Sequence, residues 1–204
     1  MKPLLKLNDF YQKSTVYDSV RKLRELFKNS PNRLFYSETE KVIDASSKIL
    51  DIGCGIGFYS VQTARQLKKG RVFCLDKRVD KLKKLEVRAR KAGVDNKIAI
   101  VEDTFPTNEF QEFGFDFIYG TYVLHEFKDH AGFIEEVKNR LKPGGTVAML
   151  DHRGGTPKGR HIARHHGEGY KVLSTKEVIV LFDDFKNKRV FQKKDYYLIV
   201  AEKQ

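Results

Sequence analysis

The segment Ile49-Leu50-Asp51-Ile52-Gly53-Cys54-Gly55-Ile56-Gly57-Phe58 limits the fold more than any other stretch of the chain. An apolar strand running into alternate glycines and then a helical pattern brings backbone amides and a helix N-terminus close to a ligand. The alternation continues downstream. Strand Lys48–Ile52 precedes helix Tyr59–Lys68, and strand Arg71–Leu75 precedes helix Val79–Ala92, which Gly93 ends. Strands Lys97–Val101 and Phe115–Tyr119 come next, then helix His130–Leu141, the turn Lys142-Pro143-Gly144-Gly145 and strand Thr146–Leu150. Strands that alternate with helices imply a parallel sheet covered on both faces. Ser174 and Glu177 open a further helix to Phe182 with a capping-box pattern. Arg189–Gln192 and Tyr196–Ala201 leave no room for a crossover helix, so they pair as an antiparallel hairpin. The expected architecture is α/β: a doubly wound sheet of seven strands, mostly parallel, with an antiparallel C-terminal hairpin.

Residues 1–46 read differently, as a polar, helical N-terminal extension to a main domain at 47–204. Val16, Val20, Leu23, Leu26 and Phe27 recur at helical spacing, and Asn29-Ser30-Pro31-Asn32 stops that helix. A second short helix is expected over Leu34–Ile43.

Composition narrows the function classes. The 204 residues include only Cys54 and Cys74, which excludes a disulfide framework, a four-cysteine zinc site and a three-cysteine iron–sulfur motif. A reducing cytoplasm is the expected location. The longest apolar runs, around Val178–Phe182, fall far short of the roughly 18 residues of a membrane span, and the opening residues lack a signal-peptide pattern. Lys and Arg number 39 against 27 Asp and Glu, a net charge of +12. That suits an anionic partner such as RNA or an acidic substrate, and equally a lysine-rich surface. On helix Val79–Ala92 and its entry, Lys77, Lys81, Lys84, Arg88 and Lys91 share one face, which reads as the solvated side of an outer helix.

Two ligand classes compete for the glycine turn. A dinucleotide fingerprint wants Gly-x-Gly-x-x-Gly; counted from Gly53 the third glycine is Phe58, and counted from Gly55 it is Ser60. Asp51, at the strand end, would repel a pyrophosphate but suit a ligand carrying an ammonium group. That points to S-adenosylmethionine. Leu50-Asp51-Ile52-Gly53-Cys54-Gly55-Ile56-Gly57 resembles the first motif of class I S-adenosylmethionine-dependent methyltransferases. Val72–Asp76, Val101–Thr104, Phe115–Ile118 with Val123-Leu124-His125-Glu126-Phe127, and Leu141–Thr146 resemble that family's later motifs in order. The resemblance covers roughly Ser46 to Lys203, implies a Rossmann-like fold, and is strengthened by the terminal hairpin.

It also implies site roles. Gly53, Gly55 and Gly57 would let the methionine part of the cofactor lie on the turn, with Asp51 near its amino group. Asp76, nineteen residues beyond Gly57, would accept hydrogen bonds from both ribose hydroxyls. Asp103, with Thr104 beside it, corresponds to the acid that takes the adenine amino group. Tyr119 and Gly120 would offer backbone carbonyls to the ammonium. Lys77 and Arg78 either flank the adenine or are helix-entry charges.

All six histidines fall between positions 125 and 166. His125 follows the fourth strand and His152 the fifth, near carboxyl ends where open α/β sheets bind ligands, so both are candidates to accept a phenol or enol proton. His161 and His165 lie four apart, but flanking glycines suggest a mobile substrate loop, with Arg153, Arg160 and Arg164 available to an acidic acceptor; no third metal ligand is identifiable. The exocyclic-amine motif is absent, with Tyr119-Gly120-Thr121-Tyr122 in its place, and no RNA-binding module is appended. The expected function is methyl transfer to a small-molecule acceptor, as in quinone-type members. An RNA or protein methyltransferase, or a cofactor-binding protein without catalysis, is the alternative. Phe10, Tyr11 and Tyr17 either close over the site or pack the first helix on the body.

Overall fold

A computed structural model of the chain describes residues 30–110 and 114–204. The N-terminal helix expected over Val16–Phe27, and the placement of Phe10, Tyr11 and Tyr17, lie outside the described residues.

One sheet of seven strands organises the rest, in the order β3-β2-β1-β4-β5-β7-β6. Its members are β1 (Lys48–Ile52), β2 (Arg71–Asp76), β3 (Ile98–Glu102), β4 (Phe115–Thr121), β5 (Leu141–His152), β6 (Phe185–Gln192) and β7 (Tyr196–Lys203). The first five strands run parallel, whereas β7 pairs antiparallel with both β5 and β6. The expected hairpin therefore forms, and β7 lies inside the sheet.

Six α-helices cover the faces among the described residues: α1 (Pro31–Thr39), α2 (Phe58–Gln66), α3 (Val79–Ala92), α4 (His130–Arg140), α5 (Pro157–His166) and α6 (Thr175–Leu181). Two apolar layers follow from the strand alternation. Ile49, Cys74, Phe117 and Leu150 pack under α1, α2 and α3, while Leu50, Leu75, Ile118 and Met149 pack against α4 and α6. In α3 the i, i+3, i+7 set Leu82, Leu85 and Ala89 is buried. Lys77, Lys84 and Lys91 are exposed, with Lys81 and Arg88 half-buried.

Three local expectations change. Ser30, Pro31 and Asn32, expected within the stop of the first helix, start the second, and the first helix itself lies outside the described residues. Ser30 accepts from the Arg33 amide at 3.2 Å as N-cap, and Pro31 takes the first helical position, which shifts the second helix from Leu34–Ile43 to Pro31–Thr39. Strand β5 begins at Leu141, because Leu141 pairs with Phe115 and Thr146 with Phe117, so Lys142–Gly145 forms an irregularity within the ladder. Residues 157–166 form helix α5 and not a loop. Thr156 accepts from the Gly159 amide at 3.0 Å, Pro157 sits at the first position, and Gly159 packs so tightly that a Cβ would lie 2.3 Å from the Arg153 carbonyl.

Helix α1 is fastened by Phe35, fully buried with ring centroids 5.0 Å from Tyr59 and 5.2 Å from Tyr119. Phe35→Ala is expected to cost about 3–5 kcal/mol in urea unfolding, as buried aromatic truncations do. Val180→Ala, at a side chain 72% exposed, should stay within about 0.5 kcal/mol. Equal small changes at both positions would show that α1 adds nothing to the core.

Candidate active site

Between β1 and α2 the chain turns through Gly53, Gly55 and Gly57, all left-handed at φ 69°, 56° and 73°. The amides of Gly53 and Cys54 both donate to the Leu75 carbonyl, at 2.8 and 3.0 Å, and tie the turn to the end of β2. The Gly55 amide donates to Asp76 Oδ2 at 2.8 Å, while Asp76 Oδ1 accepts from the Arg78 amide at 2.9 Å. Asp76 thus braces the turn from β2, and each of its oxygens keeps a further lone pair. The three glycines are required for different reasons. A Cβ at Gly53 would stand 2.6 Å from Val123 Cγ2, and one at Gly57 2.6 Å from Leu85 Cγ, so packing excludes side chains there. At Gly55 the nearest atom is Lys81 Cδ at 3.8 Å, an ordinary contact with a flexible side chain, so packing does not exclude a Cβ at the middle of the turn.

Asp51 lies beneath this turn, 1% exposed. Its Oδ2 accepts from Ser60 Oγ at 2.6 Å and from the Tyr119 hydroxyl at 2.9 Å. Its Oδ1 is buried with no hydrogen-bond partner among the described residues. Burial pushes the Asp51 carboxyl up to about 7, against the two hydroxyl bonds, and the neighbouring Asp76 adds to the rise. Tyr119, selected from sequence for its backbone, contributes its buried side chain to this cluster as well. At Gly120 a Cβ would meet Val123 Cγ1 at 2.6 Å, so packing requires the glycine.

The remaining cofactor candidates are less enclosed. Asp103 turns back on its own loop, Oδ1 accepting from the Thr104 amide at 2.7 Å and Oδ2 from the Thr107 hydroxyl, and these bonds hold its carboxyl below the usual range. Thr104 and Lys77 are exposed. Arg78 pairs with Asp80 at 3.2 Å in the first turn of α3, as a helix-entry charge does.

A second cluster sits where β4 and β5 end. His125 Nδ1 lies 2.6 Å from Asp151 Oδ1, and the His125 amide donates to Asp151 Oδ2 at 2.9 Å. The two side chains are 8% and 1% exposed. An ionised carboxylate only accepts, so Nδ1 carries the proton in the neutral imidazole and Nε2 presents a lone pair. Burial alone would push the His125 pKa down, but the bond to Asp151 and its charge outweigh burial and hold it above the ordinary value. His152 is the opposite case: its pKa is pushed down to about 4, chiefly by burial, and its Nδ1 is buried without a partner among the described residues.

Rings line up through this cluster. Tyr122 lies 4.7 Å from His152, His152 5.5 Å from His125, His125 5.0 Å from His166 of α5, and His166 5.5 Å from Tyr170. Tyr122 has a left-handed φ of 58°, uncommon for a residue with a Cβ, and its amide donates to the Leu150 carbonyl at 2.7 Å. Asp151, Tyr122 and His166 were not selected from sequence. For Asp151 a signal was present: an acid directly following the apolar run Val147–Leu150 continues a buried strand, and such a charge requires a partner. His161 and His165 stack at 4.5 Å on α5, but no group of three metal-ligating side chains converges among the described residues. Of the arginines considered for an acidic acceptor, Arg160 bends back to the Gly155 carbonyl at 2.7 Å, and Arg164 is exposed.

Residues 43–203 match the family model of a methyltransferase domain, and the chain belongs to that family. Sterol 24-C-methyltransferase of Kluyveromyces lactis is 28% identical over 109 residues, 53% of this chain and 29% of the relative. Phosphoethanolamine N-methyltransferase 1 of Triticum aestivum is 26% identical over 181 residues, 83% of this chain and 35% of the relative. The chain thus spans about a third of the length of these curated relatives. A crystal structure of a SAM-dependent methyltransferase from Aquifex aeolicus shares the fold at a TM-score of 0.65 and 22% identity, covering 91% of this chain and 97% of its own.

The two kinds of glycine should separate on substitution. Gly55→Ala carries only the strain of a left-handed alanine, about 1–3 kcal/mol. Gly57→Ala adds the collision with Leu85 and should lose more in chemical denaturation. A larger loss at Gly55 would contradict the looser packing assigned to the middle of the turn.

Proposed function

We propose that this chain transfers the methyl group of S-adenosylmethionine to a small-molecule acceptor. The observation that carries the reading is Asp51 Oδ1: a buried carboxylate oxygen without a hydrogen-bond partner among the described residues, two positions before the glycine turn. An ammonium group satisfies that oxygen and stabilises the charged carboxylate. Asp76, at the end of β2 with lone pairs to spare, is placed to accept from a ribose diol. Asp103 and Thr104 at the exit of β3 belong to the adenine side with Lys77, and Tyr119 and Gly120 end the strand beside Asp51. When bound, S-adenosylmethionine supplies an electrophilic methyl group on a sulfonium.

The chain's own contribution on the acceptor side is His125. Asp151 fixes its tautomer and orientation, so Nε2 can take a proton from the acceptor, and the carboxylate stabilises the imidazolium that forms. His152, held neutral by burial, shields this pair from water. The relatives, named for methylation of a sterol and of phosphoethanolamine, support a small-molecule acceptor. Cys54 and Cys74 are both free thiols, which supports a reducing, cytoplasmic setting, and no described helix is long and apolar enough to cross a membrane. Residues 1–46 are read as an extension to the 47–204 unit, and its described helix α1 is anchored on the body through Phe35.

Calorimetry with S-adenosylhomocysteine tests the cofactor half. With Asp51 titrating near 7 in the free protein, an ammonium ligand favours its ionised form, so binding should release protons between about pH 6 and 8. Asp51→Asn should abolish that release and weaken binding by about tenfold or more, as loss of a charge-assisted bond does. A wild-type protein that does not bind, or an Asp51→Asn protein that binds equally well, overturns the reading. For the acceptor half, Asp151→Asn is expected to lower kcat by a factor of about 100 or more with little change in cofactor affinity.

A further inference from the structure

We propose that the chain forms a symmetric dimer in which the edge strand β3 pairs antiparallel with β3 of a second copy, so that one sheet runs through both. The inference is independent of the methyl-transfer reading.

The two ends of the sheet are built differently. Its outermost strands are β3 and β6, and an open strand edge presents unpaired N–H and C=O groups on which another chain can add. The β6 end is blunted. Its ladder with β7 is interrupted between Lys186 and Arg189, Asn187 there takes a left-handed φ of 51°, and Lys186, Asn187 and Lys188 are exposed. Strand β3 has none of these devices. Ile98-Ala99-Ile100-Val101-Glu102 pairs with β2 in unbroken register and contains no lysine, proline or bulge. A flat apolar edge of this kind invites strand addition.

Apolar exposure gathers at the same end. Of the five large apolar side chains exposed among the described residues, Val79 (40%), Val87 (50%) and Ile100 (39%) lie on α3 and β3. These two elements enclose a groove of about 270 Å³ lined by Val79, Leu82, Lys83, Glu86, Ile100 and Glu102. The other two, Ile179 and Val180, sit on α6 with Asp183 and Asp184 exposed just beyond them. An interface there would have to desolvate both acids.

Charge selects the occupant. At a net charge of +12, one copy repels another across most of its surface. The β3 end is balanced instead. Lys83, Arg90 and Lys97 are matched by Glu86, Asp95 and Glu102, with Asp103 one residue beyond the strand. Arg90 already pairs with Glu86, and Lys97 donates to the Leu67 carbonyl at 2.6 Å. A second copy therefore meets apolar side chains and no excess of positive charge, whereas a polyanion finds no cationic patch to hold it.

Identical strands that pair antiparallel do so about a two-fold axis, and with the axis at its centre Ile100 faces its own copy. Ile100 and Glu102 point to the α3 side of the sheet, where they line the groove, so the pairing brings α3 of each copy alongside the other. With β6 blunted, assembly stops at two.

Sedimentation velocity on the full chain, in a dilution series up to about 100 μM, tests this. The wild type is expected to sediment as a reversible dimer of the 23.6 kDa chain. Ile100→Lys sets two lysines opposite each other at the axis and should raise the dissociation constant about tenfold or more. Val87→Lys, on the exposed rim of α3, should weaken the dimer in the same direction without touching the sheet, and Val180→Lys should leave it unchanged. In the wild type, the amides of β3 should exchange hydrogen more slowly as concentration rises, while those of β6 do not change. A chain that stays monomeric throughout the series overturns the proposal. So does a dimer indifferent to both Ile100→Lys and Val87→Lys, or one whose concentration-dependent protection falls on β6 in place of β3.

Discussion

Two backbone amides on one carbonyl hold the working end of this protein together. The Gly53 and Cys54 N–H groups both reach Leu75 O, and that junction sets the exit of β1 against the exit of β2. Only left-handed backbone makes the turn, and only residues without a Cβ fit where Val123 and Leu85 press on it. Because Asp76 then caps the Gly55 amide, the acid is held at the rim of the turn before any ligand arrives. Preorganisation of this kind leaves less ordering to be done on binding.

Two buried acids, near the carboxyl ends of β1 and β5 on either side of β4, differ in how far they are satisfied. Asp151 is fully engaged by the imidazole and two amides, which fix the position of the His125 ring. Asp51 is engaged on one oxygen only, and burial prevails. Its folded pKa lies above the unfolded value, so its protonated form adds stability that is present below about pH 4 and is lost as pH rises through about 7. The ligand-free protein therefore holds a destabilised carboxylate at neutral pH, and a cation placed at Oδ1 relieves it. Binding and stability are coupled through one atom.

Most of the architecture was legible because it is written locally. The first four strands, the glycine turn, the Gly93 stop and the Ser174–Glu177 capping box each involve residues a few positions apart, and the structure keeps them within a residue or two, whereas β5 and β6 begin five and four residues earlier than expected. Misreadings arose where one residue type serves two ends. Ser30-Pro31 is N-cap and first residue of α1, so the second helix starts at Pro31 and not at the expected Leu34. The glycines around α5 suggested a loop, yet Gly159 inside it is a packing glycine and Thr156-Pro157 a helix start.

The two halves of the site differ in the same way. The glycine turn follows from a contiguous motif, so its left-handed geometry and its junction with β2 are local and legible in sequence. The histidine side does not. His125 and Asp151 are 26 residues apart and meet only because β4 and β5 pair in register, Thr121 with Leu150. His166 joins them from a helix that contributes no strand to the sheet. A single sequence marks His125 and His152 as candidates by their place after strands, but which one is oriented by a carboxylate and which is held neutral depends on burial at a meeting of four segments. The strand scaffold places that meeting at the carboxyl edge, while the side chains there can be exchanged without disturbing the turn. The histidine cluster is therefore the part of the site whose pattern is least local.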